Sequence, residues 1–95
     1  MKEFKGRTAV ITGAASGIGY ALAERYAREG MNIVLADIEQ NALDTAVKNI
    51  SDLGVETLGV SVDVMDKEAV EYLKNKSIKT FGNIHLLCNN AGVAS

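Results

Sequence analysis

The run Gly13-Ala14-Ala15-Ser16-Gly17-Ile18-Gly19 is built to hold an anion. It follows an apolar, strand-like stretch, Thr8-Ala9-Val10-Ile11-Thr12, and opens a helix-like stretch, Tyr20 to Arg28. A strand, a glycine-rich turn and a helix start, in that order, turn unpaired backbone N–H groups and the positive end of a helix dipole toward one point. Glycine lets the chain bend sharply there and lets a diphosphate approach the backbone. Turn glycines without a ligand are the plain alternative, and three of them at this spacing between strand and helix argue against it.

A second chemical group lies 18 residues beyond Gly19: Asp37, at the end of the apolar run Asn32 to Ala36. A carboxylate in that position can accept both hydroxyls of a ribose. It would repel a phosphate on the 2′ carbon, because two like charges ~4 Å apart cost on the order of 4 kcal/mol at a near-surface effective dielectric. Salt and side-chain movement reduce that figure. The pair of features predicts a bound dinucleotide, NAD in preference to NADP.

Alternating strands and helices must position these groups. The spacing predicts a first strand over Thr8 to Thr12 and a first helix from about Gly17 to Glu29. Ile18, Leu22 and Tyr26 share one stripe of that helix, and Gly30 is its C-terminal cap. A second strand covers Asn32 to Ala36. Leu43, Ala46, Val47 and Ile50 mark a second helix, ended by Gly54. Val55 to Val62 reads as a third strand interrupted by Gly59. Asp66 caps a third helix lined on one side by Val70, Leu73, Ser77 and Phe81, and Ile84 to Cys88 reads as a fourth strand. Such alternation implies right-handed crossovers and a parallel sheet buried on both faces. The expected fold is a three-layer α/β/α, Rossmann-like, doubly wound parallel sheet of order 3-2-1-4, ending after its fourth strand.

Composition removes several other classes. The 95 residues suffice for one small domain, and a net charge of −2 provides no general basic field for nucleic acid or an anionic membrane. One cysteine, Cys88, permits no intrachain disulfide. Met1 to Lys5 lacks the apolar core of a signal peptide, and no apolar run is long enough to span a bilayer. The expectation is a soluble, cytoplasmic protein.

These residues resemble the short-chain dehydrogenase/reductase family in its classical group. Thr12 to Gly19 is similar to the family's T-G-x-x-x-G-x-G fingerprint, and Asn89-Asn90-Ala91-Gly92 to its N-N-A-G element. Asp63-Val64 is similar to the D-V pair after the third strand. Two fingerprints, each at a strand end, make a specific match, and the resemblance extends over nearly the whole chain.

The resemblance implies roles. Gly13, Gly17 and Gly19 form the cradle. Ile18 offers its N–H to the diphosphate while its side chain packs inward. Ser16 either reaches the adenosine ribose or caps the helix. Asp37 holds that ribose beside Ile38. Asp63 and Val64 flank the adenine, with an ordinary turn as the competing role for Asp63. Asn89, Ala91 and Gly92 approach the cofactor, and Asn90 braces the central strand. The family's NADP users often carry a basic residue where Ser16 or Ile38 stands, so both positions favour NAD. His85 has no implied catalytic role and is expected half exposed at a strand start. Cys88 is expected as a small apolar core residue.

The resemblance also implies an NAD(P)-dependent oxidoreductase that moves hydride between nicotinamide and an alcohol or carbonyl substrate. The family's catalytic serine and Y-x-x-x-K pair follow N-N-A-G, whereas this sequence reaches only Ser95. Tyr72 and Lys76 do match Y-x-x-x-K, but within the third helix, on its expected solvent side. No catalytic residue is therefore expected in this chain, which reads as the cofactor-binding N-terminal part of such an enzyme. With the third helix alone on one sheet face and the fourth strand at an edge, weak monomer stability or self-association is expected. The alternative function is a non-catalytic nucleotide-binding Rossmann module or an inactive fragment. A methyltransferase with a similar glycine loop is disfavoured by N-N-A-G.

Overall fold

The structure is a computed structural model, and it describes residues 4–90. Four strands and three helices alternate: β1 (Thr8–Thr12), α1 (Gly17–Arg28), β2 (Asn32–Asp37), α2 (Gln40–Ser51), β3 (Thr57–Ser61), α3 (Lys67–Phe81) and β4 (Leu86–Asn89). The strands form one sheet of order β3-β2-β1-β4, with every pairing parallel. The expected order 3-2-1-4 is thus observed. β1 lies between β2 and β4, where the winding reverses, so its C-terminal end opens at the switch point that favours ligands.

Both sheet faces carry apolar side chains. Ile11, Ile33 and Leu35 pack with Ala23, Ala27, Leu43, Ala46 and Ile50 beneath α1 and α2. Val10, Val34, Ala36 and Val60 pack with Leu73 beneath α3. The second cluster is smaller because α3 alone covers that face among the described residues. Leu87 and Ile78 are 48% and 46% exposed.

The α1 stripe differs from the sequence expectation at Ile18, while Leu22 and Tyr26 are half-buried and pack against the α1–α2 cluster. Gly19, Ala23 and Ala27 face the sheet, and Ile18 is 71% exposed rather than packed inward. The cause is close approach. A Cβ on Gly19 would fall on the Gly13 carbonyl oxygen and lie 2.8 Å from its carbon, so the inner face of the first turn admits only glycine there. Ile18, one position earlier, is rotated to the outside.

Two strand boundaries also shift. β3 starts at Thr57 and runs without interruption through Gly59, which pairs with Leu35. Val55 lies in the preceding turn, and the Thr57 hydroxyl donates to its carbonyl at 3.1 Å. β4 starts at Leu86 because the histidine before it completes the pairing in another way. The Thr8 N–H donates to His85 Nδ1 at 3.0 Å, and the His85 N–H donates to the Thr8 carbonyl at 2.9 Å. His85 is exposed and fastens the start of β4 to β1. Asp66 caps α3 as expected, its carboxylate accepting the Glu68 N–H at 3.0 Å.

Candidate dinucleotide-binding site

The turn between β1 and α1 needs glycine for two distinct reasons. Gly13 and Gly17 both have φ of 62°, in the left-handed region, and Gly19 needs the missing Cβ for helix–strand approach. Ser16 occupies the helix N-cap position with an extended backbone, but its hydroxyl makes no capping bond. The first-turn N–H groups of Gly17, Ile18 and Gly19 have no intrahelical acceptor, as at any helix start. α1 starts directly after β1, so its first turn and the positive end of its dipole lie at the C-terminal edge of the sheet. The space where a Gly17 side chain would project is open, with no atom of the described residues beyond its own chain neighbours and helix backbone within 4 Å.

Beside this turn lies a cleft of about 160 Å³ lined by Gly13, Asp37, Ile38, Val62, Asp63, Val64 and Met65. Five residues singled out from the sequence meet there: Gly13, Asp37, Ile38, Asp63 and Val64. They come from three strand ends brought level by the parallel register. The Val62 N–H donates to the Asp37 carbonyl at 3.1 Å, which ties the ends of β2 and β3 together. Asp63 also serves its turn, accepting the Met65 N–H at 2.9 Å on Oδ1. Val62 and Met65 were not foreseen. Met65 is 80% exposed and belongs to a loop, where no periodic pattern indicates the direction of a side chain.

Ser16 and Gly17 line a neighbouring groove of about 370 Å³ between α1 and α2, together with Tyr20, Thr45 and Asn49. Ala15 joins the two hollows: it lines the groove, and its N–H donates to Asp37 Oδ2 at 3.0 Å. The expected backbone role of Ile18 is compatible with its outward side chain, because the N–H belongs to the first turn regardless.

At the end of β4, the Thr12 hydroxyl donates to Asn89 Oδ1 at 2.9 Å. Asn90 Nδ2 donates to the Gly13 carbonyl at 3.4 Å and so bears directly on the turn. Ala91 and Gly92 lie outside the described residues. Tyr72 is exposed on α3, on the solvent side expected of it. No group of three His, Cys, Asp or Glu residues that could hold a metal occurs among the described residues. No helix there is long and apolar enough to cross a membrane.

Cys88 pairs with Ile11 in the sheet and packs against the α1–α2 cluster. Burial pushes its thiol above the ordinary cysteine range, and a hydrogen bond with Tyr26 opposes the shift more weakly. Less thiolate at neutral pH means slower alkylation. Iodoacetamide is expected to label Cys88 more slowly at neutral pH than a free cysteine. The rate should keep climbing with pH after an ordinary exposed thiol has levelled off, as a stopped-time mass measurement would show.

The family model described as short chain dehydrogenase matches residues 7–95. This chain is a short-chain dehydrogenase family member. The chain is 44% identical over 87 residues to 1-deoxy-11-beta-hydroxypentalenate dehydrogenase of Streptomyces exfoliatus, covering 92% of this chain and 32% of that one. It is 42% identical over 94 residues to the CLA biosynthesis dehydrogenase/reductase of Lactiplantibacillus plantarum, covering 99% of this chain and 33% of that one. Among solved structures, a Burkholderia phymatum short-chain dehydrogenase/reductase in complex with NAD superposes with a TM-score of 0.88 at 45% identity, covering 92% of this chain and 31% of that one. L-Sorbose reductase of Gluconobacter frateurii, complexed with NADPH and L-sorbose, gives 0.90 at 41%, covering 96% and 35%. The chain thus spans about a third of the length of the family members it matches.

Proposed function

We propose that this chain is the NAD-binding part of a short-chain oxidoreductase that transfers hydride between nicotinamide and an alcohol or carbonyl of a small molecule. The observation that carries the reading is the meeting of the glycine turn and the Asp37 carboxylate at one edge of the sheet, with the Asp63–Val64 strand end completing the cleft.

The residues fit a dinucleotide. The open space over Gly17 and the first-turn N–H groups of α1 suit a diphosphate. Asp37 suits the adenosine ribose, and Ile38, Val62, Val64 and Met65 give the cleft apolar walls of the kind an adenine ring needs. Asp63 can accept from the adenine amino group. Asn89, Ala91 and Gly92 would pass the nicotinamide half. When bound, the cofactor supplies the hydride acceptor or donor. The chain's own residues hold its diphosphate, orient its ribose and fix its reach. Asp37 selects NAD, because a 2′-phosphate would bring negative charge against its carboxylate and neither Ser16 nor Ile38 offers a compensating cation. NAD-bound and NADPH-bound relatives both exist, so this preference rests on those residues of this chain. We propose the cytoplasm as the location of the chain.

Calorimetric titration of the chain with NADH and with NADPH tests the proposal. Saturable binding of NADH, about tenfold or more tighter than NADPH, is the expected result, one tenfold step being 1.4 kcal/mol. No saturable binding of either would remove the cofactor-binding proposal, and tighter NADPH would remove the role given to Asp37.

A further inference from the structure

Asp37 is tied into the glycine turn before any ligand arrives. Its Oδ2 accepts the Ala15 N–H and its Oδ1 accepts the Glu39 N–H, both at 3.0 Å. A carboxylate has about four acceptor sites on its two oxygens. One N–H on each oxygen therefore leaves a free site on each, which matches the two hydroxyls of a ribose. Among the described residues the turn has few other hydrogen-bonded anchors, although Ala14 is buried in the core. The Ala14 N–H donates to the Ala36 carbonyl at 3.2 Å, Asn90 reaches Gly13 at a long 3.4 Å, and the Ser16 hydroxyl caps nothing. Gly13 and Gly17, both at positive φ, bracket Ala15 as two adjustable joints. A turn of that kind needs an external constraint to hold one shape, and a charged acceptor provides a stronger bond than a neutral one.

We propose that Asp37 is a positioning residue for the diphosphate-binding turn in addition to a ribose acceptor. By holding the Ala15 N–H it fixes the turn so that the N–H groups of Gly17, Ile18 and Gly19 converge. One side chain at the end of β2 thereby couples recognition of the sugar to recognition of the diphosphate. The inference rests on the dinucleotide reading and deepens it.

The two roles predict opposite signs for a small anion. If Asp37 only touches ribose, removing its negative charge leaves inorganic pyrophosphate binding unchanged or tightens it. If Asp37 positions the turn, the same change weakens pyrophosphate binding although repulsion falls. An Asn at this position has one oxygen and turns an NH₂ toward a backbone donor, so it rescues only part of the geometry.

The test compares the unaltered 95-residue chain with Asp37→Ala and Asp37→Asn. Amide hydrogen exchange without ligand should accelerate about tenfold or more at Ala15 in Asp37→Ala, as expected for loss of a bond to a charged acceptor. Exchange in β1 and α2 should stay within about twofold, because local opening is distinct from global unfolding. Inorganic pyrophosphate should bind about threefold or more weakly in Asp37→Ala, with Asp37→Asn between, in line with the strength of charge-assisted bonds. Unchanged exchange at Ala15 overturns the proposal. So does unchanged or tighter pyrophosphate binding, and so does uniform acceleration across β1 and α2 in both variants. If the unaltered chain binds neither pyrophosphate nor NADH, the dinucleotide reading fails, and exchange at Ala15 still decides whether Asp37 positions the turn.

Discussion

Gly19→Ala is expected to lose most NADH affinity and to destabilise the fold. The added Cβ would meet the Gly13 carbonyl and approach Asn90 Nδ2 at 3.0 Å. Backbone cannot rotate aside as a side chain can, so α1 must move off β1. Overpacking of this kind costs about 1–3 kcal/mol. For a domain of this size that corresponds to a fall in melting temperature of roughly 5–20 °C. The same displacement moves the first-turn N–H groups away from the diphosphate, so affinity should drop by more than about tenfold, the equivalent of 1.4 kcal/mol. Gly17→Ala gives the informative contrast. Without ligand its Cβ would enter open space, and only the positive φ opposes it, at a cost of about 1–2 kcal/mol. Melting should therefore fall less than in Gly19→Ala, whereas a bound diphosphate would meet that Cβ and affinity should still drop. Calorimetric melting and NADH titration of both variants check the pair. A Gly19→Ala protein with unaltered melting and affinity would contradict the close approach described for α1.

The second large effect concerns cofactor choice. Asp37→Ser combined with Ile38→Arg should move the preference from NADH toward NADPH by about a hundredfold or more. Removing the carboxylate abolishes a repulsion whose screened size is about 1–2 kcal/mol. A guanidinium at position 38, where the present side chain is 62% exposed, can bond a phosphate in a bidentate way and should contribute a similar amount. Affinity for NADH should fall, because its ribose loses the carboxylate and the Ala15 N–H loses its charged acceptor, and that second loss offsets only part of the gain for NADPH. Competitive titration of the two cofactors reads the ratio directly. A ratio that does not move would show that the adenosine ribose lies away from the end of β2.

Much of this was legible in the sequence, for identifiable reasons. Gly13, Asp37 and Asp63 each close an apolar strand-like run, and parallel pairing brings such ends to one edge. The meeting of these ends at one edge therefore followed from strand order, whereas the roles of Asp63 and Val64 came from the family resemblance. The direction of Ile18 did not follow. A stripe of large apolar residues suggested Ile18, Leu22 and Tyr26. Leu22 and Tyr26 do pack at the side of the contact, but the helix approaches the sheet on Gly19, Ala23 and Ala27, which turns Ile18 outward. Small residues leave a weak hydrophobic signal even when they form the contact face. Met65 was missed because a loop has no period. The bond from Thr8 to His85 Nδ1 was missed because a side chain standing in for a strand partner leaves no pattern in the sequence. The hold of Asp37 on Ala15 was missed for a related reason. It joins positions 22 residues apart through a backbone donor, which no residue type announces.

The central claim is that a dinucleotide lies with its diphosphate on the first turn of α1 and its adenosine ribose on Asp37. Titrating the isotopically labelled chain with NAD while following backbone amide resonances tests it most directly. The account predicts saturable shifts concentrated at Ala15 to Gly19, Asp37 to Glu39 and Asp63 to Met65, with α3 unmoved. Saturable shifts centred on α3, or none at the glycine turn, would contradict it.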